Sequence, residues 1–170
     1  AVADPAGNAT SATVAGSDRS VTYDSIAPTL TLAQAATQAD PTNVSSIAFT
    51  LTGNETIDAS SVTAADFSVS DGTVTSIVCS GATCTITVTA IVDGIVTISL
   101  APSGAFSVSD LAGNAQTVAG GADRAVTYDT TVPTLSFAQA ASQADPARTN
   151  PLLFTITASE PLLLSSITAS

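Results

Sequence analysis

Residues 84–100 read Cys-Thr-Ile-Thr-Val-Thr-Ala-Ile-Val-Asp-Gly-Ile-Val-Thr-Ile-Ser-Leu. Apolar residues at Ile86 and Val88, and again at Val96, Ile98 and Leu100, alternate with Thr and Ser. Successive side chains of a strand point to opposite faces, so a period of two describes two strands with one buried face each. Asp93-Gly94 between them suits a chain reversal, because both residues tolerate the backbone angles that tight turns need. Working outward, the same alternation predicts strands over 29–32, 46–52, 66–70, 73–79 and 122–129, with Asp71-Gly72 and Ser80-Gly81 as further turns. The expected inward set is Leu30, Leu32, Ile47, Phe49, Leu51, Phe67, Val69, Ile86, Val88, Val96, Ile98, Leu100, Val126 and Tyr128.

Seven short strands in about 100 residues, with no apolar period of helical length, predict an all-β, immunoglobulin-like sandwich. Composition agrees: 22 Ser and 27 Thr accompany few aromatics, and β-branched residues suit a pleated surface. The 170 residues carry 14 acids against three arginines, a net charge of -11, and no Lys, His, Met or Trp. Binding to a phosphate backbone is excluded, because that takes clustered Lys and Arg. The commonest general base, the Schiff-base lysine and the usual zinc site need residues the chain lacks. Abundant carboxylate, amide and hydroxyl oxygens remain, and these are ligands for hard cations such as calcium. No apolar run approaches the 18 or so residues of a membrane span, so direct membrane insertion is not expected.

An internal repeat organises the chain. Asp110-Leu-Ala-Gly-Asn114 echoes Asp4-Pro-Ala-Gly-Asn8, and Asp123-Arg-Ala-Val-Thr-Tyr-Asp129 echoes Asp18-Arg-Ser-Val-Thr-Tyr-Asp24. Ala138-Gln-Ala-Ala-Ser-Gln-Ala-Asp-Pro146 matches Ala33-Gln-Ala-Ala-Thr-Gln-Ala-Asp-Pro41, and Phe154 and Glu160 match Phe49 and Glu55. The offset is 105 residues, with a one-residue gap near Gly120. These matches predict tandem modules: 1–27 as the last loop and strand of one, 28–132 as a complete one, and 133–170 as the start of a third. Neither flanking piece can bury a core alone, so the natural chain is expected to be longer.

The Val-Thr-Tyr-Asp-x-x-x-Pro-Thr junction, the Asp-x-Ala-Gly-Asn loop and the Gln-Ala-Asp-Pro loop together resemble bacterial Ig-like tandem repeats. Such repeats form the stalks of large secreted adhesins and other surface proteins. The resemblance covers nearly the whole chain. It implies an extracellular or cell-surface location and a spacing or adhesion role, with calcium often stiffening the junctions between domains.

Cys79 and Cys84 flank the four residues Ser-Gly-Ala-Thr between two expected strands. Strands leaving so tight a turn can bring the pair within disulfide range, which would point to an oxidising compartment. The alternative is two reduced thiols.

Strand directions locate the carboxylates. If successive strands alternate in direction, the connections after the second, fourth and sixth all lie at one pole, where the preceding linker also arrives. Glu55, then Asp110 and Asn114, then Asp24 on the linker therefore converge there, and resemble the oxygen set of a calcium site. Asp129 and Glu160 are the counterparts of Asp24 and Glu55 at a second junction, and Asp4 and Asn8 belong to an upstream one; both sites would be incomplete here. Plain turn chemistry explains the same residues equally well, since Asp and Asn are common turn formers. Asp40 and Asp145 read as turn or capping residues.

The leading functional expectation is a structural stalk module of an extracellular protein, not an enzyme. Its partners would be neighbouring repeats of the same chain, other copies in a fibre, or a host surface reached through regions outside this chain. The alternative is a binding module for a glycan or a partner protein. The scarcity of aromatic platforms argues against it.

Overall fold

The computed structural model describes residues 3–9, 20–102, 106–116, 119–120, 123–148 and 150–168. Among them lie β1 (Leu30–Gln34), β2 (Ser46–Gly53), β3 (Phe67–Ser70), β4 (Gly72–Ser80), β5 (Thr83–Ala90) and β6 (Gly94–Leu100). Next come β7 (Val108–Ser109), β8 (Ala115–Gln116), β9 (Ala119–Gly120), β10 (Ala125–Tyr128), β11 (Leu135–Gln139) and β12 (Phe154–Ala158). Among the described residues, helical structure is limited to three single 3-10 turns, at Ala59–Ser61, Ala64–Asp66 and Leu164–Ser166. The protein is all-β.

Strands β4-β5-β2-β1-β9 form one sheet, antiparallel except for the parallel β1–β9 pair, and β10-β6-β3 form an antiparallel second sheet. Alternation along each strand decides what each sheet buries. Leu30, Leu32, Ile47, Phe49, Leu51, Ile86 and Val88 from the first sheet share one buried cluster with Phe67, Val96, Ile98 and Val126 from the second. The inward set therefore holds, with Val69, Leu100 and Tyr128 half-buried at its margin. Ile57 and Val62 join the core from a connection with no period-two signal. Phe106 and Val108 belong instead to an alternating stretch, Phe106-Ser-Val-Ser109, that repeats Phe67-Ser-Val-Ser70 and has no place in the seven-strand expectation. Strand bounds fall within a few residues of the expected ones. The short pairs β7–β8 and β1–β9 lie outside the expected seven strands; β8 and β9 are two residues each, too short for a periodic trace.

Hydrogen bonding recurs at the 105-residue spacing. Leu30↔Gly53 through Gln34↔Phe49 pair in the same register as Leu135↔Ala158 through Gln139↔Phe154. Gln38 Oε1 accepts the Ala48 N–H at 2.9 Å, and Gln143 Oε1 accepts the Leu153 N–H at 2.9 Å. The repeated glutamines thus act locally, satisfying backbone donors and acceptors of the connection between two strands.

The flanking pieces differ from the central one in burial. Residues 20–24, counterparts of 125–129, form no strand, and Val21 is 96% exposed where Val126 is 0%. The difference lies in strand pairing: β10 is a strand by pairing with β6, whereas no described strand is paired with 20–24. Residues 10–19, which include most of that expected loop and Arg19, fall outside the described residues. Likewise Phe154 is 56% exposed and stacks on Phe137 at 5.0 Å, whereas its counterpart Phe49 is 0% exposed.

Candidate metal centre

The loop Asp110-Leu-Ala-Gly-Asn114 closes the β7–β8 pair by folding the Asp110 carboxylate back over its own backbone. Its Oδ1 accepts the N–H groups of Ala112 at 2.8 Å and Asn114 at 2.9 Å. Its Oδ2 accepts the Asn114 side-chain N–H at 2.8 Å. Gly113 sits at φ 89°, a conformation that residues bearing a Cβ resist. The earlier copy is built alike: Asp4 accepts from Ala6, Asn8 and the Asn8 side chain at 3.0, 2.9 and 2.9 Å, with Gly7 at φ 84°. Hydrogen bonds favour the charged form of a carboxyl. The asparagine side chain, followed by backbone N–H groups, accordingly holds both Asp110 and Asp4 below the usual carboxylate range against opposing desolvation.

Glu55 lies on the connection leaving β2. Asn54 pins that connection to the start of β1: its N–H donates to the Thr29 carbonyl at 3.1 Å, and its Oδ1 accepts from the Thr29 N–H at 2.7 Å. Ile57 forms an antiparallel bridge with Asp110, which sets the two connections side by side. Asp24 arrives on the linker. Its Oδ1 accepts the Ile26 N–H at 3.0 Å, and its backbone carbonyl accepts from the Asn114 side chain at 3.2 Å.

Carboxylate oxygens of Asp24, Glu55 and Asp110 consequently lie within 4.8 Å of one another. They line an open cleft of about 490 Å³ together with Thr22, Thr56, Leu111 and Ala112. Asp24 is exposed, Glu55 half-buried, and Asp110 only 2% exposed. Desolvation, then the charges of Asp24 and Asp110, push the Glu55 carboxyl above the ordinary glutamate range. Three anions held this close favour a cation between them. Oxygens bound to one calcium ion at about 2.3–2.6 Å can be at most about 5 Å apart, so the spacing fits. Asn114 contributes as a clamp through its amide nitrogen, which is shared between Asp110 and the Asp24 carbonyl.

At the second junction, Asp129 Oδ1 accepts the Thr131 N–H at 2.9 Å, as Asp24 accepts from Ile26. Glu160 is half-buried, and its Oε1 is buried without a hydrogen-bond partner. Among the described residues, neither belongs to a group of three candidate ligands. Asp40, expected to act as a turn or capping residue, instead accepts the Thr127 N–H of β10 at 2.9 Å, across 87 residues.

Asp66, expected only as the start of a strand, and Asp93, expected only as part of a turn, make contacts that neither expectation includes. Buried Asp66 accepts the Thr63 N–H and hydroxyl at 2.7 and 2.8 Å and the Ser107 N–H at 3.1 Å, tying the segment before β3 to the one before β7. The Thr-x-x-Asp spacing was its one signal. Asp93 accepts from the Thr130 and Thr131 hydroxyls at 2.9 and 3.3 Å, holding the outgoing linker. A contact across 37 residues leaves no local trace in sequence.

Cys79 and Cys84 are joined in a disulfide across the last turn of the β4–β5 hairpin. Among the described residues no helix is long and apolar enough to cross a membrane. No protein family, no curated protein and no solved structure matches the chain.

Proposed function

We propose that this chain is a stretch of an extracellular stalk built from tandem Ig-like repeats of about 105 residues, stiffened by calcium at the junctions. The observation that carries the reading is the approach of Asp24, Glu55 and Asp110 within 4.8 Å, because one residue comes from the incoming linker and two from connections of the next module. An ion bound to all three would fix the angle between linker and module. The strand order supports the Ig-like part: β4-β5-β2-β1 against β3-β6-β10 follows the two-sheet arrangement of constant-type domains. The repeated register and the repeated Asp-x-Ala-Gly-Asn loop support the tandem part. A disulfide suits an oxidising compartment. With a net charge of -11, neighbouring modules repel until a cation intervenes.

The test is calcium titration by calorimetry of the chain and of a variant carrying Asp24→Asn, Glu55→Gln and Asp110→Asn. X-ray scattering with and without chelator accompanies it. Saturable heat in the parent only, with a longer particle when calcium is present, is expected. Equal heats in both proteins, or a scattering profile indifferent to chelator, would remove the calcium part of the reading.

A further inference from the structure

The connection that carries Glu55 is held by the tip of a different hairpin. Gly53 and Ile57, two residues to either side of Glu55, donate their N–H groups to the carbonyls of Ala82 and Gly81 at 2.7 and 3.0 Å. Gly81 and Ala82 are the turn between β4 and β5. Cys79 and Cys84 form the pair one step below that turn, with only Ser80↔Thr83 between the disulfide and the tip. A Cβ at Gly53 would lie 3.0 Å from the Glu55 carbonyl oxygen and 3.2 Å from Ile57 Cγ1, so a larger residue would fit there only if the connection shifted.

Two forces meet at Glu55. The charges of Asp24 and Asp110 repel it and would swing its connection away from them. The tip carbonyls oppose that movement, but only while the tip itself stays ordered. A hairpin end frays readily, because its last pairs have a neighbour on one side alone. A covalent link beneath the tip removes that freedom.

We infer that the Cys79–Cys84 disulfide is the positioning element for Glu55, and that opening it loosens the connection 53–57 and weakens cation binding at Asp24, Glu55 and Asp110. The second half rests on the calcium reading above; the first half does not. Linkage adds a reciprocal requirement. If the oxidised protein binds calcium more tightly by some factor, calcium must favour the disulfide over the dithiol by the same factor. The conversion is a two-electron, two-proton reduction, with dithiothreitol as the donor in the test.

The experiment compares amide hydrogen exchange and calcium titration in three proteins: the oxidised chain, the chain reduced with dithiothreitol, and a Cys79→Ala, Cys84→Val variant that keeps an apolar side chain at the buried position. The expected result is faster exchange at Gly53 and Ile57 with unchanged protection at Phe49 and Ile98, and calcium binding about fivefold weaker or more without the disulfide. Unchanged exchange at Gly53 and Ile57 overturns the inference whatever calcium does. Faster exchange there, with equal calcium affinity in all three proteins, overturns its second half. Faster exchange with no calcium binding even in the oxidised chain leaves the positioning role standing and sinks the calcium reading instead. If the variant unfolds, protection at Ile98 reports it, and the reduced chain supplies the comparison.

Discussion

The side-chain amide of Asn114 donates to the backbone carbonyl of Asp24 across 3.2 Å and 90 residues of sequence. The same nitrogen donates to Asp110 Oδ2 at 2.8 Å. One side chain therefore joins the incoming linker to the connection that carries the most buried acid of the cluster. Asn114→Ala should cost about 1 kcal/mol, the usual loss for such hydrogen bonds, and should loosen the linker. Chemical denaturation measures the first effect. The second appears as faster exchange at the Ile26 amide; an Asn114→Ala chain as stable as the parent would contradict the assignment.

Glu55 gives a pH dependence of definite sign. Its carboxyl titrates above the ordinary glutamate range in the folded chain, by desolvation first and by Asp24 and Asp110 second. Between the unfolded and folded values the native state holds the extra proton, so this group's contribution to stability falls as pH rises through that window. Asp110 has the opposite sign. Its folded value is depressed, so its contribution is present above the ordinary aspartate range and is lost as pH falls through the folded value. In chelator, Glu55→Gln should therefore raise the melting temperature relative to the parent above the ordinary glutamate range, with little difference below it. Calcium should reverse the order at neutral pH. A difference that does not change between about pH 4 and 7 would refute the assignment.

The same truncation at two positions 105 residues apart should differ in cost. Phe49 is 0% exposed inside the shared core, and Phe49→Ala should destabilise by about 3–5 kcal/mol. Phe154 occupies the corresponding place in register but is 56% exposed, so Phe154→Ala should change the main transition by less than about 0.5 kcal/mol. Paired denaturation curves decide it, and equal costs would mean that the β11–β12 face is covered in solution.

If 133–168 begins a further repeat, as proposed, supplying the remaining strands should bury that face. Residues 63–132 fused after Ile167, the counterpart of Val62, would supply second copies of β3 to β10 in sequence order. The fusion should protect the Phe154 and Ile156 amides from exchange and reduce binding of an apolar dye. Continued rapid exchange at both positions would speak against a modular third unit.

The strands and most of the core were legible in the sequence because a period of two is a local property: Ile86, Val88, Val96 and Ile98 declare their face without knowledge of any partner. The cluster was legible in outline, since alternating strand directions bring Glu55 and Asp110 to the pole where Asp24 arrives. The contacts of Asp66 and Asp93 were less visible, because they depend on distant segments and carry no period. The core residue Phe106, by contrast, lies in an alternating stretch, Phe106-Ser-Val-Ser109, as readable as Phe67-Ser-Val-Ser70.

Taken alone, the chain's residues determined an all-β protein, its 105-residue internal repetition and the placement of Cys79 and Cys84 on either side of one turn. Tertiary structure decided how closely the three carboxylates approach, that Asn114 clamps Asp110 to the linker at Asp24, and that the tip of a stapled hairpin holds the connection of Glu55. The division follows from range: alternation and turn chemistry act within a few residues, whereas carboxylate spacing and hydrogen bonds across 90 residues exist only once both sheets have closed on one core.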